Sequence, residues 1–380
     1  MISFIRFTLV VLFFGTILFP AHATYSSLYV FGDALSSTTD NTPGATYYGQ
    51  RFSNGRVWVE VLAQRQGLAY NASKNNSYYD HNSAALVPQI NSFSAPSDVA
   101  NDLFIVWVCN ADTFDASSAH DTAAQWLAAN NLSQANHLQI ISNLYAKGVR
   151  NLILPNAVDI SKIPAYNKSN LTNTMQNGCI AYNLAFSNTI NQARVLFPGL
   201  KIYAPDFFTL LNSVLTNAAY YGLTNALANG YSIDARTAFN YGYPPAATNG
   251  FGTNFIFWDN MDPTAKLHAV MADVAQQIIS PVQINQLTVL TGSNRLDLVN
   301  IPIGLNGFVD SSTNLAALPR WTTDLNFSST NTTQSVFVNA PPLPEGSFGP
   351  SGGSGTNSLP PFVFNSRVYQ LRFPYAWNWP

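Results

Sequence analysis

Four short apolar runs, Leu28–Phe31, Leu103–Val108, Leu152–Leu154 and Ile202–Ala204, recur between Tyr25 and about Ser280, separated by stretches with helical spacing. None is long enough for a helix, and none alternates as a half-exposed strand does. Each therefore reads as a strand buried on both faces, with a weaker candidate at Leu68–Tyr70. Helices are expected at Val57–Arg65 and at Ser133–Lys147, the latter capped by Ser133 and stopped at Gly148. A third is expected within Ser169–Leu196, broken near Gly178, and a last at Thr264–Ile279, introduced by Asp262 as N-cap and Pro263 as first helical residue. Such alternation dictates a parallel sheet covered on both faces, with ligands bound at the carboxyl ends of its strands.

After Pro281 the helical spacing stops. Gly, Pro, Asn and Thr punctuate short runs such as Leu287–Leu290, Gly307–Val309, Ser335–Val338 and Val368–Phe373, with a Pro/Gly/Ser-rich loop expected over Pro341–Pro361. The chain thus divides into an α/β unit over 24–285 and a small all-β module over 286–380, preceded by a leader over 1–23. The leader has Arg6, the apolar stretch Phe7–Phe19 and the small-x-small site Ala21-His22-Ala23, the pattern of a secretory signal peptide. Its apolar stretch is shorter than the roughly 20 residues that span a bilayer, and no later segment is long enough, so a secreted protein without an integral membrane segment is expected.

Charge excludes one class of partner. Net charge is −2 and only 9% of residues are charged, which leaves no electrostatic footprint for nucleic acid. The two cysteines, Cys109 and Cys179, are compatible with a disulfide or with two buried thiols, and two cysteines alone make no metal site.

Residues with chemistry gather in five blocks. They are Gly32-Asp33-Ala34-Leu35 after the first strand; Tyr47 to Trp58, containing Phe52-Ser53-Asn54-Gly55; Leu103–Asp112, ending Cys109-Asn110-Ala111-Asp112; Leu144–Ala165 with its Pro-rich exit; and Phe257 to Thr264, containing Asp259-Asn260-Met261-Asp262-Pro263. Their order and spacing resemble those of the GDSL (SGNH) lipases and esterases. The resemblance implies a flavodoxin-like three-layer α/β/α sandwich of SGNH hydrolase type, with the C-terminal all-β domain appended. It implies an ester hydrolase acting on lipid or carbohydrate esters, with no cofactor and no metal.

In that resemblance Ala34 occupies the position of the nucleophilic serine and Asp262 that of the histidine base. Cys109 and Ala111 replace the glycine and the oxyanion-hole asparagine of the third block, while Gly55 (oxyanion) and Asp259 keep the family's residues. A methyl group cannot attack an ester. The expectation is a catalytically inactive pseudoenzyme holding a lipid ester or an acylated carbohydrate.

Two alternatives stay open. One is an active hydrolase with a carboxylate-based site: Asp33, Asp259 and Asp262 converge in such a fold, as an acid/base pair or as oxygen ligands for Ca²⁺ or Mg²⁺. The other is a carbohydrate-interaction protein that uses the β module, whose segments Gly307–Val309, Trp321-Thr322 and Arg367–Pro374 resemble a β-rich C-terminal module of secreted bacterial proteins. Ser36 and His268 are the nearest substitutes for nucleophile and base, and both read as structural. Asn110 is placed to stand in for Ala111. Tyr47, Tyr48, Trp107 and Trp258 supply either the floor of a cleft or ordinary packing.

Overall fold

A computed structural model describes residues 25–42, 44, 46–239, 250–312, 321–339 and 367–374. The expected leader and the loop at 341–361 lie outside the described residues. The four apolar runs form a parallel sheet in the order β1 (Leu28–Gly32), β2 (Leu103–Trp107), β3 (Asn151–Ile153) and β4 (Lys201–Tyr203), with Leu28 opposite Leu103, Phe104 opposite Leu152 and Leu152 opposite Ile202. All residues of β1 and β2 are buried, as strands covered on both faces must be.

No strand forms at Leu68–Tyr70. Instead the segment after it runs along the free edge of β1, where the Asn76 N–H donates to the Val30 carbonyl and the Tyr78 N–H to that of Gly32. The chain therefore leaves β1 toward one side and returns through β2 on the other. The carboxyl end of β1 is the switch point at which such sheets open a crevice.

The helices are α1 (Trp58–Arg65), α2 (Ser83–Ser92), α3 (Cys109–Ser118), α4 (Ala123–Ala146), α5 (Thr172–Leu196), α6 (Phe207–Thr216), α7 (Ala235–Ala238) and α8 (Ala265–Ile279). α1 packs on α8 in one layer, while α2, α4 and α5 pack together in the other. A short hairpin, β5 (Leu227–Ala228) with β6 (Tyr231–Ser232), precedes α7. Between the layers one apolar core runs the length of the sheet, with Trp58, Trp107 and Phe207 meeting edge-to-face at 5.1–5.5 Å.

Three helix boundaries differ from expectation for local reasons. α4 starts ten residues before Ser133, because Thr122 and Gln125 form a capping box. Ser133 is an interior residue whose hydroxyl bonds the Asp112 carboxylate at 2.7 Å and the Tyr182 hydroxyl at 2.8 Å. α5 is unbroken at Gly178, which sits against the Trp126 indole. α8 is capped by Thr264 rather than Asp262, and Pro263 precedes the cap instead of opening the helix. Cys109 and Cys179 are free, buried thiols, not a bridge. No described helix is long and apolar enough to cross a membrane.

The second unit consists of two three-stranded antiparallel sheets. One has the order β11 (Thr333–Asn339), β8 (Ser293–Val299), β7 (Gln283–Leu290), and the other β10 (Thr322–Ser328), β9 (Asn306–Ser312), β12 (Val368–Arg372). They enclose a separate apolar core built on Leu296, Leu298, Val309, Val336 and Leu371. The division expected between 285 and 286 falls within β7. Arg65, at the end of α1, ties the two units: it forms a buried 2.7 Å ion pair with Asp273 of α8 and donates to the Ile303 carbonyl at 2.9 Å.

Candidate active site

The carboxyl end of β1 leads directly into the site. Asp33 caps a single 3₁₀ turn, Ala34–Ser36, with Oδ1 accepting the Leu35 N–H at 3.0 Å. Ala34 sits half-exposed on that turn and lines a cleft of about 280 Å³. Ser36 faces the other way. It is fully buried, and its hydroxyl accepts the Trp58 indole N–H at 3.0 Å, so it is committed to the core.

β2 supplies the opposite wall through α3. Asn110, buried at the start of that helix, accepts the Val158 N–H with Oδ1 and so braces the exit of β3. Ala111 lies one residue further and lines the cleft with its methyl. Asp112 points away, accepting Ser83 and Ser133 in the interior. The Ala111 N–H, at the positive end of α3, favours the charged form of Asp33. Burial outweighs it and pushes the Asp33 carboxyl up to about 7, against the lowering effect of the Leu35 N–H, the Asn110 side chain and the Ala111 N–H.

The turn from Trp258 to Pro263 brings in the remaining carboxylates. Asp259 accepts the Met261 and Asp262 N–H groups with Oδ1, at 2.9 and 2.7 Å, and the Tyr47 hydroxyl with Oδ2 at 2.7 Å. These three donors hold it as the aspartate of a triad would be held. Asp262 lines the cleft beside Ala34. Burial, the charge of Asp259, a hydrogen bond to Asp259 and the charge of Asp33 together push its carboxyl well above the usual range. Asp262 is thus the partner of this carboxylate pair that burial and its neighbours hold back from ionising. The geometry is that of a dyad, with a carboxyl in place of the imidazole.

Of the residues singled out from sequence, the structure brings together Asp33, Ala34, Ala111, Asp259 and Asp262. Gly55 lies apart. It does not line the cleft; a Cβ on it would fall 2.6 Å from the Ala265 Cβ in the first turn of α8. Its neighbours act on the same helix start: Ser53 donates to the Pro263 carbonyl at 3.0 Å and Asn54 accepts the Ala265 N–H at 2.8 Å. The second block therefore docks the segment that carries Asp259 and Asp262. His268 is likewise absent from the cleft. It is fully buried in α8, and burial lowers its pKa to about 3, so it is neutral. Trp107 and Trp258 are core residues, whereas Tyr47 reaches the site through its hydroxyl and Tyr48 is exposed. Among the described residues no three acidic, histidine or cysteine side chains are grouped as metal ligands, so the Ca²⁺ or Mg²⁺ alternative is not supported.

Sequence reasoning missed half of the cleft wall. Tyr79, Asp80 and Asn82 follow the segment on the β1 edge, and Phe114, Asp115 and Ser118 come from α3. The first group lies in a polar stretch without periodicity; the second sits on α3, a helix not expected from the sequence, which begins directly after the strand expected over Leu103–Val108. Beyond Leu35 and Met261, which line both spaces, a narrow apolar cavity of about 40 Å³ extends between Trp107, Phe207, Leu211, Leu267 and Met271.

The profile of the GDSL-like Lipase/Acylhydrolase family matches residues 28–275. The chain belongs to that family. It is 23% identical over 329 residues to a GDSL esterase/lipase of Arabidopsis thaliana, with 68% of this chain and 87% of the plant protein covered. Among solved structures it is similar to a lipase from a goat rumen metagenome (11% identity, TM-score 0.42, covering 67% of this chain and 97% of the lipase). It is also similar to a variant of an acetyl xylan esterase from Geobacillus stearothermophilus (14% identity, TM-score 0.40, covering 67% and 94%). The family and its three-layer fold make the α/β unit ester-hydrolase-like. The family match ends within α8, before the β module begins.

Proposed function

We propose that this protein is an exported member of the GDSL family that holds an ester-bearing ligand, a lipid ester or an acylated carbohydrate, without cleaving it. The observation that carries the reading is Ala34 on the nucleophile turn; the one serine that lines the cleft, Ser118 of α3, shares its hydroxyl with that of Tyr166 at 3.0 Å. Ser36 is locked to Trp58, and among the described residues no histidine lines the cleft. Loss of a triad nucleophile costs about 10⁶ in turnover, and loss of one oxyanion donor, here at Ala111, roughly 10²–10³. The leader over 1–23 is the basis for export.

One observation favours a second reading. Asp33, pushed up to about 7, and Asp262, held back from ionising, both line the cleft, an arrangement suited to acid/base work. In that reading Asp33 takes a proton from water as its oxygen bonds the acyl carbon, and Asp262 gives its proton to the departing alkoxide.

Hydrolysis of p-nitrophenyl butyrate separates the two. The unmodified chain is expected to match the buffer rate, and Ala34→Ser with Ala111→Asn and Asp262→His to exceed it. Turnover by the unmodified chain that disappears in Asp33→Asn or Asp262→Asn overturns the first reading and establishes the second.

A further inference from the structure

The acidic side chains of the cleft have no counter-charge. Asp33, Asp80, Asp115 and Asp262 all line it, and among the described residues no lysine, arginine or histidine does. The cleft therefore offers no positively charged side chain to an anionic ligand such as a carboxylate or a phosphate. Two aromatic rings share the lining, Tyr79 and Phe114. The Tyr79 ring is 54% exposed and is backed by Phe52, stacked at 5.5 Å. An exposed aromatic face beside carboxylates attracts organic cations through the ring quadrupole as well as through charge.

A second observation stands apart from the acidic count. Asp33 is only 4% exposed, and its Oδ2 makes no hydrogen bond of full geometry, although the Asn110 side chain and the Ala111 N–H lie close enough to favour its charged form. A buried acceptor satisfied this loosely keeps capacity for a further partner. The carboxylates are also not grouped as metal ligands, whereas a cleft of about 280 Å³ accommodates a cation of several heavy atoms.

We propose that the cleft beside Ala34 takes the alkylammonium end of its ligand, an amine or the amino-alcohol portion of an ester. The cation would lie between Tyr79 and Phe114 with Asp80 and Asp115 at the rim and Asp33 and Asp262 at the floor. Asp33 is faced by Asp112, Asn110 and the Ala111 N–H from α3, by the Leu35 N–H from its own turn, and by Asp262 from the turn before α8; no cation is among them. At the rim, Asp115 accepts the Asn82 amide at 2.9 Å, and His81, next to Asp80, is held below its ordinary pKa by burial. A bound cation favours the ionised carboxyls, so binding releases protons and strengthens as pH rises through the titration of Asp33.

The inference rests on the cleft being the ligand site assigned above, but not on the ester remaining uncut. The test is calorimetric titration of the full chain with choline and with its uncharged isostere 3,3-dimethylbutan-1-ol. Choline is expected to bind at least ten-fold more tightly at pH 8, and several-fold more tightly at pH 8 than at pH 6. The exposed Asp80→Asn/Asp115→Asn pair should weaken choline by about ten-fold at unchanged melting temperature. Equal affinity for the isostere, indifference to pH, or preference for Ca²⁺ over choline overturns the proposal. Choline binding together with choline-ester turnover upholds this site and overturns the non-hydrolytic reading. Uncut esters that bind with no preference for choline do the reverse.

Discussion

Asp33→Asn is expected to stabilise the protein more at pH 8 than at pH 5, although it alters a residue at the centre of the site. The Asp33 carboxyl has a higher pKa folded, about 7, than its ordinary value of 3.8, so the folded chain binds the proton more tightly than the unfolded chain. Stability from this group is complete below about 3.8 and is lost as pH rises toward the folded value, by about 1.4 kcal/mol per pH unit. Between pH 5 and pH 8 that amounts to about 2.5 kcal/mol. Asparagine keeps an oxygen for the Leu35 N–H but places an amide where Oδ2 now makes no hydrogen bond of full geometry, a pH-independent cost of roughly 1–3 kcal/mol. The difference between pH values isolates the ionisation. Asp262 and Asp273 titrate in both proteins and largely cancel.

Urea unfolding followed by circular dichroism at pH 5, 6, 7 and 8 reads this difference directly. The stability of Asp33→Asn relative to the unmodified chain should rise by about 2.5 kcal/mol between pH 5 and pH 8 and level off above 7. Parallel curves would mean that Asp33 is solvated or paired in solution, and the description of the cleft floor given above would then be wrong.

Other parts of the structure make further demands. Gly178→Ala should lose 1–2 kcal/mol in thermal unfolding, because a Cβ would fall 2.5 Å from the Trp126 ring; overpacking of about 1–3 kcal/mol exceeds a helix-propensity gain of about 1 kcal/mol. Arg65→Met should cost about 3–5 kcal/mol at pH 8 by stranding the buried Asp273, and the Arg65→Met/Asp273→Leu pair should recover most of it in the same measurement. Burial pushes Asp273 up to about 6 even with Arg65 lowering it, so without Arg65 the carboxyl protonates at still higher pH; the Arg65→Met loss should shrink as pH falls toward 6 and level off below it. Ser36→Ala should cost about 1–3 kcal/mol by leaving the Trp58 N–H unpaired, with ester binding unchanged in equilibrium titration.

The parallel sheet was legible because its strands are buried on both faces, which leaves uninterrupted apolar runs such as Leu103–Val108. The edge of β1 was not. Asn75–Tyr78 pairs irregularly beside a solvent-facing loop, and its residues carry none of the β-branched signal of a strand. α4 was cut short because Ser133 fits an N-cap by composition, while the capping box at Thr122 lies beyond an Asn- and Ala-rich stretch. Gly178 read as a break for a similar reason: local propensity penalises glycine in a helix, whereas the need for it arises from the Trp126 ring on a distant helix. In the site, motif order singled out Ala34, Ala111, Asp259 and Asp262, which the fold brings together, but not the contact of Gly55 with Ala265, which joins segments about 210 residues apart.

The substitutions at positions 34 and 262 have to be understood together. A histidine base works because it is neutral, with an open lone pair toward the nucleophile and an N–H toward its aspartate. Asp262 reproduces only the second half of that arrangement: its backbone N–H, with that of Met261, closes the turn around Asp259 Oδ1, while its carboxyl, held back from ionising, lies against the same carboxylate. A serine at 34 facing this acid would gain an acceptor for its hydroxyl but nowhere to send the proton. Asp262→His without the serine would restore a base with nothing to activate. Neither change alone restores the chemistry, whereas the hydrogen bonds from Met261, Asp262 and Tyr47 still hold Asp259 as a working dyad would require. On the non-hydrolytic reading proposed above, the hydrogen bonds that hold Asp259 serve to close the turn before α8 beside a cleft kept for binding.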